Sequence, residues 1–395
     1  MSSGALRLAI VATHPVQYNA PAFRELAARE GLDLRVFYSM ESATVGGFDS
    51  GFGREVHWDV PLLEGYEYEF GDNRAKKASV STFSGVHDPS LCRRVERWRP
   101  DAVLVYGWSN RAHLGAMRYF SSRCAVLFRG DSTLLDETPG WRKVARRVWL
   151  RWVYSHVDIA LAVGTCSREY FLAMGLNEDQ IVIAPHAVDN SRFRAHALRH
   201  EEAAVVRRRE CLIPDESVVF VFPGKLEQKK GPDLLLEAFG SLPSSCNAHL
   251  VFIGSGPLEK ELVARAGRRV HFLGFQNQSV MPTAYRIGDL VVLPSRGPGE
   301  TWGLAINEAM ACGRAVAASD RVGCAVDLVE PGRNGWRFEA GDRVAITQVL
   351  LEAAADGRDG LRTKGRASAD LIEEWSIASQ ADAIHGALMS LRDRG

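Results

Sequence analysis

From end to end, short runs of β-branched and aliphatic residues alternate with longer amphipathic stretches, and no other feature of this sequence narrows its fold so far. Leu6–Thr13 and Leu32–Tyr38 read as strands flanking a helix at Ala20–Arg29, and Ala102–Tyr106, Ala125–Phe128 and Ile159–Val163 read as further strands. A polar, charge-dense stretch, His196–Glu210, interrupts the series. The alternation then restarts, with strands at Val218–Phe222, His249–Ile253, Val270–Phe272, Leu290–Leu293 and Ala315–Ala318. Helices are expected between them at Pro232–Phe239, Glu259–Ala266, Met281–Ile287 and Gly303–Cys312. Strands separated by helices build parallel sheets through right-handed crossovers. Two such series predict an α/β protein of two doubly wound domains, and 395 residues suit two domains of about 150–200 each. The expected boundaries are 1–198 and 199–376. A last helix, Ile377–Leu391, follows a bend at Glu374–Ser376, and the segment 377–395 is expected to pack back on the first domain. Ligands of such sheets sit outside the carboxyl ends of the strands, so the expected site is the cleft between the two domains.

Composition excludes several other classes. Forty-eight basic residues balance forty-eight acidic ones, whereas a protein that wraps nucleic acid needs a basic excess. The longest apolar runs, such as Val218–Phe222, fall far short of the roughly 20 residues that cross a bilayer. Met1–Arg7 leads into Leu8–Ala12, an apolar run too short and too weakly flanked for a signal peptide. The seven cysteines are scattered, with no CxxC pair and no zinc spacing, and read as reduced thiols of a cytoplasmic protein. No P-loop, GxGxxG or DxD motif is present, and no metal site is expected.

The densest chemical signal is the segment Pro294–Gly313. A strand ends at Leu293, a Gly/Pro loop follows, and a helix opens near Trp302. Free N–H groups at a helix start, with the positive end of its dipole, form a seat for a diphosphate that needs no metal. Glu300 precedes that helix, where a carboxylate reaches a polyol beside the diphosphate, and Glu308 lies on it. The plainer alternative makes Glu300 a helix-start charge and Glu308 a solvated helix residue. The chain holds eight lysines against forty arginines, yet three of them fall between Lys225 and Lys230, directly after the first strand of the second half. Lys225 and Lys230 would supply point charges to a diphosphate in place of a divalent cation, or else the segment is a solvated turn. Gly254-Ser255-Gly256-Pro257 follows the next strand, as a close-approach loop or as ordinary punctuation.

The order Gly224-Lys225…Lys230-Gly231, Gly254-Ser255-Gly256-Pro257, Phe272-Leu273-Gly274-Phe275 and Glu300-x7-Glu308 resembles retaining glycosyltransferases of family 4. The resemblance is specific over residues 218–340 and looser in the first half, where Thr13–Pro21 and Trp58–Leu63 look like members that assemble cell-surface sugars or secondary metabolites. It implies the GT-B type of fold, two Rossmann-like domains facing across a cleft, with a nucleotide-sugar donor, commonly a UDP-sugar, held mainly by the second domain. Glu300 would then bind sugar hydroxyls near C3 and stabilise an oxocarbenium-like transition state, and Glu308 would bind the ribose. Lys225 and Lys230 would neutralise the leaving diphosphate, with Gly224, Gly254 and the amides of Thr301, Trp302, Gly303 and Leu304 beside it and Phe275 against the base. Most members carry arginine where Lys225 stands, and lysine lacks the bidentate fork.

Two departures shape the expectation for the first domain. His14-Pro15 and Gln17-Tyr18 occupy a loop where many members have a glycine pair, so His14, Gln17 and Tyr18 are expected as an acceptor wall. The histidine that often follows the fourth strand is missing, and Trp108 and Asn110 stand in that region. Arg129, in Arg129-Gly130-Asp131-Ser132, is a further acceptor candidate, or part of a plain turn. Asp189 after His186 reads as a turn cap. Trp141–Tyr154 carries five cations among tryptophans and valines and no acid. It is either a basic helix touching the inner face of a membrane, which suits a lipid-linked acceptor, or a helix packed on its sheet. The implied reaction moves a sugar from a nucleotide sugar to an acceptor hydroxyl of a saccharide, a lipid-linked intermediate or a small molecule. A catalytically silent nucleotide-sugar-binding protein and a GT-B phosphorylase or epimerase are the alternatives.

Overall fold

Every residue of β1 (Leu6–Ala12) is apolar except Arg7, and the structure, a computed structural model that describes residues 5–41, 47–49 and 54–392, shows why. Leu8, Ile10 and Ala12 enter the core on one face of a parallel sheet while Ala9 and Val11 enter the core on the other. A strand buried on both faces has no use for polar alternation. The further strands are β2 (Leu32–Tyr38), β3 (Gly47–Asp49), β4 (Arg54–Val56), β5 (Glu67–Phe70), β6 (Ala102–Tyr106), β7 (Ala125–Gly130), β8 (Ile159–Ala162) and β9 (Ile181–Ile183). Seven of them form a parallel sheet in the order β5-β2-β1-β6-β7-β8-β9, with Leu6 of β1 opposite Leu32 of β2 and Leu8 opposite Ala102 of β6; β3 and β4 pair separately. The order changes direction between β1 and β6, the switch point at which doubly wound sheets leave a crevice.

The second sheet contains β10 (Val218–Pro223), β11 (Ala248–Ile253), β12 (Val270–Phe272), β13 (Leu290–Leu293), β14 (Ala315–Ser319) and β15 (Gly335–Phe338). They run parallel in the order β12-β11-β10-β13-β14-β15, so the switch point lies between β10 and β13. All residues of β10, β11, β13 and β14 are buried.

The chain divides into two compact units. One comprises the chain as far as Gly47, Val60–His186 and the segment from Ile377 on; the other comprises Phe48–Asp59 and Ala187–Ser376. The helix Ile377–Arg392 places Ala381, Ile384, Ala387 and Leu388 in the same core cluster as Leu8 and Phe23 of the first unit. Residues 1–4 and 393–395, the ends of the sequence segments considered above, lie outside the described residues.

Several expectations need correction. His196–Glu210 is no interruption but contains the helix Ala197–Glu210, which buries only Ala204 and Arg208. Its anchor is polar: Arg208 donates from Nε to the Ile287 carbonyl (2.7 Å) and pairs with Asp289 (2.9 Å), so no apolar stripe betrays it. The strands β5 and β15 go unread because Glu67, Glu69 and Arg337 interrupt their apolar residues, and the three-residue edge strand β9 goes unread as well. A long helical segment, Arg343–Leu371, is likewise unread, and Gly357 breaks its regular backbone at φ 64°. Among the described residues no helix is long and apolar enough to cross a membrane.

Candidate functional site

Two loops meet at the switch point of the second sheet. The one after β10 runs through Lys225 to a short 3-10 turn, Gln228–Lys230, and ends at Gly231 with φ 69°. A Cβ at Gly231 would lie 2.5 Å from the Pro294 carbonyl oxygen, in the loop after β13. The amide of Arg296 donates to the Lys229 carbonyl (2.8 Å), and the Arg296 guanidinium reaches Asp233 (2.7 Å). The two loops are thereby held in register, and the contact brings Lys230 Nζ onto Glu300 Oε2, an ion pair between residues seventy apart in sequence. Ser295 Oγ donates to the same carboxylate oxygen (2.9 Å), and Ser319 Oγ fixes Ser295 by donating to its carbonyl (2.6 Å). Glu300 is 8% exposed, so its charge rests on these donors rather than on water.

The loop after β14 clamps the same segment. The Gly323 amide donates to the Glu300 carbonyl and the Cys324 amide to that of Trp302. A Cβ at Gly323 would stand 1.9 Å from the Thr301 oxygen, so only glycine lets the chains come this close. Gly303 then takes φ 98° and opens the helix Leu304–Ala311. The Trp302 ring is buried, donating from Nε1 to Asn307 Oδ1 (2.9 Å) and lying 5.1 Å from the Trp375 ring. Its side chain thus anchors the helix start, and what it offers a ligand is backbone. Glu308 is 3% exposed and accepts a hydrogen bond from the Tyr285 hydroxyl (2.6 Å), which is not the environment of a solvated helix residue.

The remaining strand ends are stacked by their backbones. Gly224 donates to Ile253 (2.8 Å), Gly254 donates to Gly274 (2.8 Å), and Leu226 donates to Ser255 (3.0 Å). Gly254, at φ 135°, would bring a Cβ to 2.0 Å from the Gly224 oxygen. Lys225 is half-buried beside this stack, and Phe275, next to Gly274, lies 6.4 Å from the Trp58 ring. The carboxyl edge of the second sheet therefore gathers two lysines, a buried glutamate, glycine-lined backbone and a helix start.

At the first unit's switch point, His14, Gln17 and Tyr18 lie half-buried on the loop after β1. Thr13 Oγ1 lies 2.9 Å from His14 Nδ1, and burial lowers the pKa of that imidazole. The other three acceptor candidates turn out to be committed to the fold. Asn110 is buried and caps the helix Arg111–Phe120 by accepting from the His113 amide (2.9 Å). Trp108 packs against the core and donates from Nε1 to the Tyr154 hydroxyl (3.2 Å). Arg129 is 4% exposed and spends its guanidinium on the carbonyls of Ala184 (2.8 Å) and Pro185 (3.0 Å). Asp189 caps the helix Asn190–Arg194 by accepting from Arg192, as the turn reading has it.

Sequence reasoning passed over His113. It is fully buried, and its Nδ1 lies 3.0 Å and 2.9 Å from the carbonyls of Tyr106 and Gly107. Carbonyls only accept, so Nδ1 carries the proton, and burial keeps the ring neutral by lowering its pKa. His186 lies just after β9. Burial and then the Arg129 charge push its pKa down to about 3. The signal for His186 would have been its place after β9, and that for His113 its place in the first turn of the helix after β6; both depend on knowing the strands.

Known proteins bear on this geometry. The family model described as "Glycosyl transferases group 1" matches residues 206–368, and that described as "Glycosyl transferase 4-like domain" matches residues 15–187. The chain is 31% identical over 202 residues to a D-inositol 3-phosphate glycosyltransferase of Salinispora tropica, covering 47% of this chain and 41% of the relative. It is 29% identical over 217 residues to the corresponding protein of Xylanimonas cellulosilytica, covering 52% and 51%. The chain thus spans about half the length of these curated relatives. Among solved structures, HepE of Anabaena in complex with UDP-glucose superposes with a TM-score of 0.69 at 18% identity, over 98% of this chain and 100% of that one. WaaG, a glycosyltransferase involved in lipopolysaccharide biosynthesis, superposes with a TM-score of 0.66 at 14% identity, over 96% and 99%. At such identities the likeness carries the fold, two doubly wound domains of the GT-B type.

Proposed function

We propose that this chain, which belongs to the glycosyltransferases of family-4 type, moves a sugar from a nucleoside-diphosphate sugar to an acceptor hydroxyl with retention at the anomeric carbon. The observation that carries the reading is the Lys230–Glu300 pair at the second switch point, with Lys225 and the Thr301–Leu304 amides on the same edge. Lys230 holds three donor hydrogens, so it keeps Glu300 oriented while turning another proton toward a phosphate oxygen. Lys225 adds a second charge, and the helix start adds N–H groups, so the leaving diphosphate is stabilised as its charge develops and the donor is held without a metal ion. Glu300, aimed by Ser295 and Lys230, receives the sugar hydroxyls. Glu308, aimed by Tyr285, receives the ribose. The donor-sugar nucleotide is proposed to be uridine diphosphate, on the analogy of HepE, whose structure contains UDP-glucose.

In the proposed step the bond from the anomeric carbon to the diphosphate oxygen breaks and a bond to the acceptor oxygen forms on the same face. The acceptor proton passes to the departing diphosphate oxygen. The protein contributes positioning and charge stabilisation rather than a relay of acid and base. His14, Gln17 and Tyr18, on the corresponding edge of the first unit, are proposed to meet the acceptor. Its class is that of cell-surface glycan or glycoside precursors. The seven cysteines are all free thiols, in keeping with action in the cytoplasm, at the inner face of the membrane where the acceptor is lipid-linked.

Thermal melting with UDP, GDP and their sugar conjugates, with and without a chelator, tests the donor site. A ligand at about 100 times its dissociation constant stabilises the fold by about 2.7 kcal/mol. The expected result is a shift with a uridine nucleotide that survives chelation and is lost in Glu308→Ala. A shift without transfer to any acceptor favours a silent binding protein, and no shift with any nucleotide overturns the reading in favour of a phosphorylase.

A further inference from the structure

The helix Trp141–Tyr154 has a second apolar face, which is largely exposed among the described residues; only at Trp152 does another element, through Arg118, lie over it. Leu150, Val153 and Tyr154 are buried and fix the helix to the first unit's core. On the opposite side Trp141 is 76% exposed, Val144 63%, Val148 65% and Trp152 38%. These four recur at i, i+3, i+7 and i+11, which at 3.6 residues per turn is one continuous stripe. A packed helix of a water-facing enzyme puts charges there. This one puts its charges on the flanks: Arg142 and Arg146 on one side of the stripe, Arg147 and Arg151 on the other. The helix contains no acid, and Glu137, packed against it, is shared by Lys143 (2.8 Å), Arg147 (3.0 Å) and Arg146 (3.7 Å). Arg142, Lys143 and Arg146 also border a hollow of about 330 Å³ at the base of the stripe.

We propose that this helix docks the protein on an anionic lipid surface. The Trp141–Val144–Val148–Trp152 stripe enters the headgroup layer, and the flanking cations meet lipid phosphates. Charge complementarity chooses this occupant: tryptophan seats well at the level of the headgroups, long basic side chains snorkel beside it, and each cation near an anionic leaflet adds attraction. A protein partner of ordinary composition would bring carboxylates in a fixed pattern, whereas an anionic leaflet offers phosphates all round the stripe, where Arg142, Arg146, Arg147 and Arg151 flank it on both sides.

The orientation gives the contact a use. The helix ends at Tyr154, whose ring lies 5.4 Å from Phe128 of β7, and the chain then enters β8. A 14-residue helix extends about 21 Å. A crossover helix runs opposite to its parallel strands, so the Trp141 end lies toward their carboxyl ends. That is the edge which carries His14, Gln17 and Tyr18. A lipid-linked acceptor held in the surface would be presented at that edge, a consequence that rests on the proposed transfer reaction; the docking itself does not.

Co-sedimentation of the full chain with vesicles decides the matter. Vesicles of phosphatidylcholine with about one third phosphatidylglycerol should bind the protein, pure phosphatidylcholine should not, and added salt should weaken binding. The double variant Trp141→Ser/Val148→Ser, both exposed, should lose about tenfold or more in vesicle affinity while melting and nucleotide response stay as in the parent. Absence of binding to the anionic vesicles at low salt overturns the proposal. So does equal binding by the double variant, or self-association that the variant abolishes, which would assign the stripe to a second copy of the chain. Vesicle binding by a protein that responds to no nucleotide would support the docking while removing the transfer reading.

Discussion

Replacing Lys230 by methionine isolates the ion pair at the second switch point from everything around it. The substitution keeps an unbranched apolar stem one atom shorter and removes the charge that faces Glu300, whose side chain is 9% exposed. Stripping one partner from a fully buried pair costs about 3–5 kcal/mol. Here Lys230 is 20% exposed and Ser295 still donates to the carboxylate, so the cost falls to about 1–3 kcal/mol. For a unit of roughly 200 residues each kcal/mol lowers the melting midpoint by about 2–4 °C, which gives an expected drop of about 2–12 °C. Lys230→Met/Glu300→Gln removes both charges and leaves a neutral amide that Ser295 can still serve. The double variant should recover most of the lost stability yet remain without transferase activity, because both groups belong to the proposed donor site. The assay is thermal melting of parent, both singles and the double, read as a coupling energy, beside nucleotide release from donor and acceptor. A double variant as unstable as the lysine single would refute the reasoning, because the burden would then not come from an unpaired carboxylate.

Gly323→Ala, whose Cβ would meet the Thr301 oxygen at 1.9 Å, should displace the Glu300–Gly303 loop and abolish the nucleotide-induced melting shift; Gly267→Ala, with open space around it, should leave the shift intact. Arg129→Met should cost about 2–4 kcal/mol in chemical denaturation, since two buried carbonyls lose a charged donor, and should leave nucleotide affinity unchanged. The His186 imidazole is held neutral in the fold and titrates near 6.5 when unfolded, so the unfolded state binds more protons at every pH between about 3 and 6.5. Stability is therefore full above 6.5 and falls as pH drops through that window, by up to about 1.4 kcal/mol per pH unit. Melting midpoints of His186→Gln between pH 7 and 5 should fall less steeply than those of the parent; an equal slope would show that His186 is not the group being protonated.

Periodicity alone determined the two doubly wound series, because a strand buried on both faces must be apolar along its length and a crossover helix must not be. That is why β6 and β13 have the ends expected of them, and why the loops carrying Lys225, Lys230 and Glu300 were recognisable as strand-end loops. Where the apolar signal thins, legibility fails. The helix Ala197–Glu210 is held by Arg208 on Asp289 rather than by a stripe, and Glu67, Glu69 and Arg337 interrupt the apolar residues of β5 and β15. Only the tertiary structure could decide which polar side chains are committed to the fold. Asn110, Trp108 and Arg129 sit where a site is expected, yet their hydrogen bonds go to His113, Tyr154, Ala184 and Pro185. It also decided that Lys230 and Glu300 touch, for a contact between residues seventy apart depends on the order of β10 and β13 in the sheet. And it turned the tryptophans of Trp141–Tyr154 outward, because a helix with apolar residues on two faces can bury only one of them against its sheet.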